Sequence, residues 1–223
     1  MNLIVRKIHK YLSFFISVQL LLWTVSGIYF AFNKIELVRG EQYLKQVEQS
    51  IDLGQFNFTI SNSSKIDIKK RLNENIIVIQ INSKAQYLNK SGKPLKKLSK
   101  NEAMASVINQ TTLSPYSVEE VVDLKAGAEF RGRPLPIYRV KTKNDQGVDI
   151  NAYLNIYSGE VIAIRSNKWR IWDLMWGVHI MDWRERDNID NLLLKIFSIL
   201  ALVSSVTGLM LFFKLDFKNS NKK

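Results

Sequence analysis

Two long apolar segments constrain the fold of this chain more than any other feature of its sequence. Residues 11–32 carry no charged side chain, and residues 192–213 carry only Lys195. At about 1.5 Å per residue, each would cross a hydrocarbon core of about 30 Å as a helix. We therefore expect transmembrane helices over residues 11–32 and 191–213. A secretory signal is the alternative for the first, but IYFAFNK after it offers no small-residue cleavage pattern, which favours an uncleaved signal anchor.

Basic residues precede the first segment, in residues 1–10, and follow the second, in residues 214–223. Such flanks favour the cytoplasmic side of a membrane. We therefore expect both termini in the cytoplasm and the folded region between the spans on the far side. The flanking cations are Arg6, Lys7, Lys10, Lys214, Lys218, Lys222 and Lys223.

The chain is strongly basic, with a formal net charge of +12. Such a charge suggests either nucleic acid or anionic lipid as a partner. Two apolar spans favour the lipid bilayer, and we expect no nucleic-acid binding. The absence of cysteine excludes disulfides, thiolate metal sites and cysteine nucleophiles.

The region between the spans contains an internal repeat. QYLNKSGKPLKKLSKN, from Gln86, aligns with AYLNIYSGEVIAIRSN, from Ala152, so that YLN and a Ser-Gly pair coincide. An alternating apolar strand comes just before each copy, IIVIQI in the first and IYRVKT in the second, and the Ser-Gly pair predicts a turn between the last two strands. The repeat predicts two tandem modules, over residues 33–99 and 100–168.

Each module also predicts a helix and a first strand upstream of this meander. In the first, ELVRGEQYLKQVEQSI has Leu44, Val47 and Ile51 at helical spacing, and FNFTI alternates. In the second, KNEAMASVINQ follows Ser99, with Glu102 completing a capping box, and VEEVVDL comes next. We expect a membrane α plus extramembrane α+β protein, in which each module packs a helix on an antiparallel sheet of about four strands and leaves the other face for water or a partner.

A tryptophan-rich stretch, WRIWDLMWGVHIMDW, precedes the second span. Its spacing predicts four tryptophans and one histidine on one face of a helix, so we expect an interfacial amphipathic helix and its cap over residues 169–190. In this interpretation the tryptophans anchor at headgroup level and fix the depth of the histidine. These residues are Trp169, Trp172, Trp176, His179 and Trp183.

Several of these stretches resemble the PepSY family. IYRVKTKNDQGVDINAYLNIYSGEVIAI is similar to the end of a PepSY module, whereas RKIHKYLSFFISVQLLLWTVSGIYF and LMWGVHIMDWRERDNIDNLLLKIFSILALVSSVTGLMLFF resemble the first and last helices of PepSY-associated membrane proteins. The resemblance implies a bacterial inner-membrane protein with a periplasmic PepSY portion. Some relatives are linked to iron acquisition, siderophore reduction or membrane oxidoreductases, and some carry haem on membrane histidines. Soluble PepSY domains act as peptidase-inhibiting pieces.

The two histidines, His9 and His179, fall at opposite edges of the predicted membrane region. They are separated by about the bilayer thickness, so one chain cannot clamp a single iron between them. In a two-fold dimer, each histidine would lie near the same histidine of the second chain, which would give a b-type haem site at each edge of the membrane. Because the spans are antiparallel, Gly208 should share a leaflet with His9, and Gly27 with His179, where small residues leave room for a cofactor. Interfacial histidines and close helix packing are the alternative explanations.

Motifs of hydrolytic enzymes are absent from the sequence, which contains no HExxH, no glycine-rich phosphate loop and no Ser/His/Asp order. We expect an accessory or electron-transfer subunit in iron, siderophore or quinone-linked membrane redox chemistry, in a homodimer or a larger complex. The alternative is a non-enzymatic periplasmic protein that binds or regulates a peptide, an assembly partner or a peptidase.

Two shorter motifs carry weaker expectations. EFRGRPLPIYRV presents Arg131, Arg133 and Arg139 around two prolines and predicts either an anion-binding loop or a rigid solvated one. WRERDNID predicts a cap for the second span through Asp187 or Asn188.

Overall fold

A computed structural model of the chain describes residues 3–46, 56, 65–82 and 84–220. They divide into two compact units. Unit 1 combines the chain up to Lys34 with the chain from Ile171 onward, and unit 2 spans Ile35–Arg170.

Unit 1 is built on two long helices, α1 (Leu3–Phe32) and α5 (Leu192–Ser220). Within them, His9–Phe32 and Leu192–Phe213 are long and apolar enough to cross a membrane, as the sequence predicted. Phe15 stacks on Phe197 with ring centroids 5.6 Å apart, and the Ser13 and Ser204 hydroxyls lie 2.8 Å apart, so the helices pack antiparallel. Many large apolar side chains of both helices are exposed, among them Phe14 and Leu202.

The helix predicted around the tryptophan stripe is shorter than expected. Helix α4 covers Asn167–His179, with residues from Ile171 onward in unit 1. The prediction of a five-residue stripe is therefore wrong at Trp183, which follows the end of the helix and is 57% exposed.

A turn closed by Asp182 connects α4 to α5. Its carboxylate accepts the amide protons of Glu185, Asp187 and Asn188, which satisfies these donors without a helix. The N-terminal cap of α5 is Asn191, whose side-chain oxygen accepts from the Leu194 amide at 2.8 Å. The prediction of Asp187 or Asn188 as the cap was wrong, because α5 begins at Leu192 and Asn191 directly precedes it.

Unit 2 begins with a helix that is broken where the sequence predicted a continuous one. Helix α2 (Ile35–Arg39) ends at Gly40, whose φ of +80° lies in the left-handed region. A single 3-10 turn follows, and Leu44 then forms a bridge with Thr111. A side chain at position 40 would place its Cβ 2.7 Å from Ile164, so this close approach requires glycine. Val47 and Ile51 lie outside the described residues.

The first sheet of unit 2 has three antiparallel strands in the order β1-β2-β3. The prediction located β2 and β3 but not β1, since it placed the first strand at residues 56–60, which lie mostly outside the described residues. The predicted last strand is also missing, because Pro94, which has no amide proton, makes only an isolated bridge with Leu88. The strands are β1 (Lys65–Arg71), β2 (Glu74–Ile81) and β3 (Lys84–Leu88).

The second sheet of unit 2 matches the predicted helix on a four-stranded antiparallel sheet. The Ser99 and Glu102 capping box at the start of helix α3 is confirmed in both of its hydrogen bonds. Val107 of the helix and Leu154 of the sheet are fully buried in the core between them. The elements are α3 (Lys100–Gln110), β4 (Ser114–Val121), β5 (Ile137–Lys143), β6 (Asp149–Asn155) and β7 (Val161–Arg165), with strand order β4-β5-β6-β7.

The internal repeat is visible in two turns of the same construction. The Asn89 side-chain oxygen accepts from the amides of Ser91 and Lys93, and the Asn155 side-chain oxygen accepts from those of Tyr157 and Ser158. The glycines of both turns have positive φ, +75° in the first and +71° in the second. The asparagine of each YLN motif therefore organises the turn that its Ser-Gly pair predicts.

The face of the second sheet opposite α3 is partly covered by the loop over residues 122–136. Phe130 from this loop packs on Ile137, Tyr153 and Ala163. Polar and charged side chains occupy the rest of this face, which is the one predicted to be left for water or a partner.

Candidate histidine sites in unit 1

His179 is held by a hydroxyl group of the first apolar helix. Its Nδ1 lies 2.7 Å from Oγ of Ser26, a residue with no exposed surface. The Ser26 hydroxyl also lies 2.8 Å from the carbonyl oxygen of Leu22, one turn earlier in α1. A hydroxyl has one proton, and its donation to this carbonyl leaves the oxygen to accept from the imidazole. We therefore assign the proton of neutral His179 to Nδ1, which leaves the lone pair of Nε2 for another partner.

Aromatic rings surround the same imidazole. His179 lies nearly parallel to Trp176, with ring centroids 6.3 Å apart, and edge-on to Phe30 at 5.6 Å. The indole nitrogen of Trp23 donates to the His179 carbonyl at 2.7 Å. Burial lowers the pKa of His179, so the neutral, ligand-competent form is favoured near neutral pH.

His9 repeats this arrangement on the other helix. Its Nδ1 lies 3.0 Å from Oγ1 of Thr207, and this hydroxyl lies 2.8 Å from the carbonyl oxygen of Val203, one turn earlier in α5. The same proton count assigns the ring proton of neutral His9 to Nδ1. Ser13, 3.4 Å from Nε2, is a more distant neighbour and lies closer to Ser204.

A glycine follows the hydroxyl residue in each span, but the two glycines have different surroundings. A Cβ at Gly208 would lie 3.2 Å from Cε1 of His9, so Gly208 makes room for the histidine ring itself. A Cβ at Gly27 would meet no described atom beyond its own helix turns within 4 Å. The predicted pairing of Gly208 with His9 is a direct contact, and Gly27 directly follows the residue that holds His179.

The two histidines lie far apart along the helix pair. His9 and Ser26, the partner of His179, are 17 residues apart in α1, which corresponds to about 26 Å. One chain therefore presents one imidazole at each end of the helix pair. Within the described part of the chain, no three His, Cys, Asp or Glu side chains converge as a metal site.

The tryptophans of the predicted stripe have separate environments. Trp172 and Trp176 stack on one another at 5.6 Å, and Phe30 of α1 contacts both rings. Trp169 belongs to unit 2 and is only 9% exposed, because arginine side chains cover its ring. Its burial does not fit the prediction of a headgroup anchor, since little of the ring is accessible to lipid.

Sequence reasoning identified both histidines and both glycines but missed the hydroxyls that orient the rings. The signal was present, since Ser26 and Thr207 directly precede the glycines in VSGI and VTGL. A hydroxyl on a helix usually bonds its own preceding turn, and such a bonded hydroxyl becomes an acceptor for a neighbouring ring.

Comparisons with known proteins return no match, whether to a family model, a curated protein or a solved structure. The chemistry of the site therefore rests on its geometry. A neutral imidazole oriented through Nδ1 has the lone pair of Nε2 for use as a base or as a ligand for a soft or borderline metal.

Proposed function

We propose that this chain is a two-pass membrane protein that serves as an accessory or electron-transfer subunit in membrane redox chemistry. In this proposal His9 and His179 would hold b-type haem, one near each membrane surface. Iron, siderophore or quinone-linked chemistry is the expected setting, with the lipid bilayer and a second copy or a larger redox complex as partners.

The observation that carries the proposal is the matched orientation of the two imidazoles. Haem-ligating histidines bind iron through one ring nitrogen, and the other ring nitrogen donates to a fixed acceptor that sets the ring angle. Ser26 and Thr207 are such acceptors for His179 and His9, each within hydrogen-bond distance of Nδ1. A histidine that served only as an interfacial side chain would not need this second bond.

The topology of the proposal follows from charge. The cations in residues 6–10 and after residue 213 favour a cytoplasmic position for both termini, which would put unit 2 on the periplasmic side of a bacterial inner membrane. His9 would then lie near the cytoplasmic surface and His179 near the periplasmic surface.

A dimer completes each site in this proposal. The separation of His9 and His179 along the helix pair excludes one iron bound by both in the same chain. A two-fold axis along the membrane normal would pair His9 with the His9 of a second copy, and His179 with the His179 of that copy. The two histidines of each pair would lie at the same depth in the membrane. Gly27 supports the second pairing, because a Cβ there would meet none of the described residues outside its own helix turns within 4 Å.

The chain would supply orientation and a water-poor environment. Haem, when bound, supplies reversible one-electron redox chemistry. Trp176, Phe30 and Trp23 surround His179 and would keep water from the imidazole, while Ser26 and Thr207 keep the ring protons on Nδ1.

A reduced-minus-oxidised absorption spectrum of the protein, purified in mild detergent from haem-replete cells, tests this proposal. We expect b-type bands that vanish in the His9→Ala, His179→Ala double variant. Ser17→Ala and Ser205→Ala are matched controls, since both hydroxyls bond their own helix and are exposed. A colourless wild-type protein would contradict the haem proposal and would favour the alternative, a non-enzymatic periplasmic binding or regulatory protein.

A further inference from the structure

Unit 2 contains a group of four arginines and one carboxylate, here called the arginine cluster. Arg131 and Arg133 come from the loop before β5, Arg165 ends β7, and Arg170 lies in the first turns of α4. The carboxylate is Glu129.

Glu129 is fully engaged by neighbours. One of its oxygens pairs with Nε of Arg170 at 2.6 Å, and the other accepts from Asn151 and Tyr153, each at 2.9 Å. Burial raises the pKa of Glu129, but the hydrogen bonds from Arg170, Asn151 and Tyr153 outweigh burial, so its pKa lies below the ordinary value. Glu129 thus remains ionised and pairs with the Arg170 guanidinium.

Arg165 is the most confined cation of the cluster. Its two described hydrogen bonds go to backbone carbonyls, those of Glu129 and Ile164. Its guanidinium lies 4.3 Å from the centre of the Trp169 ring, and that of Arg131 lies 5.5 Å from the same ring. Burial, followed by repulsion from Arg133, lowers the pKa of Arg165 to about 10. An anion near Arg165 and Arg133 would offset both the burial of the Arg165 charge and its repulsion from Arg133.

We propose that the arginine cluster binds the phosphate of an anionic phospholipid headgroup, with Arg133 and Arg165 as its main contacts and the Trp169 ring as its apolar support. Planar guanidinium groups match phosphate oxygens, and neighbouring guanidinium groups such as those of Arg133 and Arg165 suit phosphate recognition. The loop EFRGRPLPIYRV was predicted to be either an anion-binding loop or a rigid solvated one. In this proposal it is an anion-binding loop.

Chain connectivity selects a lipid as the source of the phosphate. The apolar stretch of α1 ends at Phe32, and α2, which packs on β7, begins at Ile35. Only two residues therefore separate a candidate span from an element packed on the strand that carries Arg165. This step rests on membrane insertion, which is part of the proposed function, but it does not depend on haem.

The test measures the thermal unfolding midpoint of the full-length protein in an uncharged detergent. Three additives are compared: dioctanoyl phosphatidylglycerol, dioctanoyl phosphatidylcholine and inorganic phosphate. We expect saturating phosphatidylglycerol to raise the midpoint by about 5 °C, with little effect of the other two. In Arg133→Gln, an exposed position that leaves the packing of Trp169 in place, most of this rise should disappear. Lys84→Gln, which removes an exposed cation from the first sheet, should keep it.

Each other result would overturn the proposal. An equal rise with phosphatidylcholine would mean that the acyl chains bind rather than the headgroup, and an equal rise with inorganic phosphate would make a free anion the ligand. A full rise in Arg133→Gln, or an equal loss in Lys84→Gln, would mean that the arginine cluster is not the site. Because the test measures unfolding and not absorbance, it still tests lipid binding if the protein proves to contain no haem.

Discussion

The Ser26 hydroxyl lies 2.7 Å from Nδ1 of His179, in the contact that joins the first apolar helix to the residue at the end of α4. Thr207 holds His9 in the same way from the other apolar helix. In both cases a helix hydroxyl bonds the preceding turn and accepts from the ring. The chain thus orients both imidazoles by the same hydrogen-bond arrangement, which occurs once on each apolar helix.

The assignment of both ring protons to Nδ1 is directly measurable by nitrogen NMR. The chain has two histidines, so ¹⁵N-histidine labelling gives two ring spin systems. In protein prepared without haem at a pH of about 8, where neutral imidazole dominates, we expect both rings to carry the proton on Nδ1. Ser26→Ala should shift the His179 ring toward a mixture of tautomers, while Ser17→Ala should change neither ring. A proton on Nε2 of either wild-type ring would contradict the assignment.

The two glycines should respond differently to enlargement. Gly208→Val should displace the His9 ring, because even its Cβ would come within 3.2 Å of Cε1. At Gly27 the added Cβ meets no described atom beyond its own helix turns within 4 Å, so Gly27→Val serves as the matched control. In the same NMR spectra, the His9 signals should move only in the first variant. Unmoved His9 signals in Gly208→Val would show that the ring does not pack on this glycine.

The pKa of His179 makes stability depend on pH with a defined sign. Because burial lowers the folded-state pKa below the ordinary 6.5, the unfolded chain binds more protons at pH values between the two. The free energy of unfolding should therefore be fully maintained above about pH 6.5 and should fall as the pH decreases through the folded-state pKa. Denaturant unfolding at about pH 7.5 and about pH 5.5 measures this difference. His179→Gln should show a smaller loss than wild type; an equal loss would assign the pH dependence to other groups.

Gly159 should be the less replaceable of two left-handed glycines in the second sheet. Both glycines have a positive φ, so replacing either with alanine should lower the free energy of unfolding by about 1–2 kcal/mol through backbone strain. Only at Gly159 would the new Cβ also meet Ser106, whose Oγ would lie 2.6 Å away, whereas Gly147 has open space. We expect Gly159→Ala to lower the free energy of unfolding by about 1–3 kcal/mol more than Gly147→Ala. Equal losses in denaturant titrations would mean that the turn is not pressed against α3.

Features determined by local sequence were predicted best. The apolar helices need only length and hydrophobicity, and the α3 capping box needs only Ser99 and Glu102 at their spacing. Features that depend on distant contacts were missed. The periodicity of residues 36–51 suggested one helix, but the approach of Ile164 to Gly40 requires a left-handed residue there and ends it.

The candidate site shows the same division. Both histidines were recognisable from their positions beside the apolar segments, whereas their ring partners are 198 and 153 residues away in sequence. No pattern along the chain reports such a pairing. Trp183 was misassigned because helical spacing alone does not reveal that the helix ends at His179.

Haem content per chain tests the central claim most directly. If each imidazole pairs with its copy in a dimer, the wild-type protein should bind about one haem per chain, from two sites per dimer. His9→Ala and His179→Ala should each lose about half of this content, and the double variant should lose all of it. Wild-type protein that binds no haem when haem is supplied, or content that neither substitution lowers, would contradict the account.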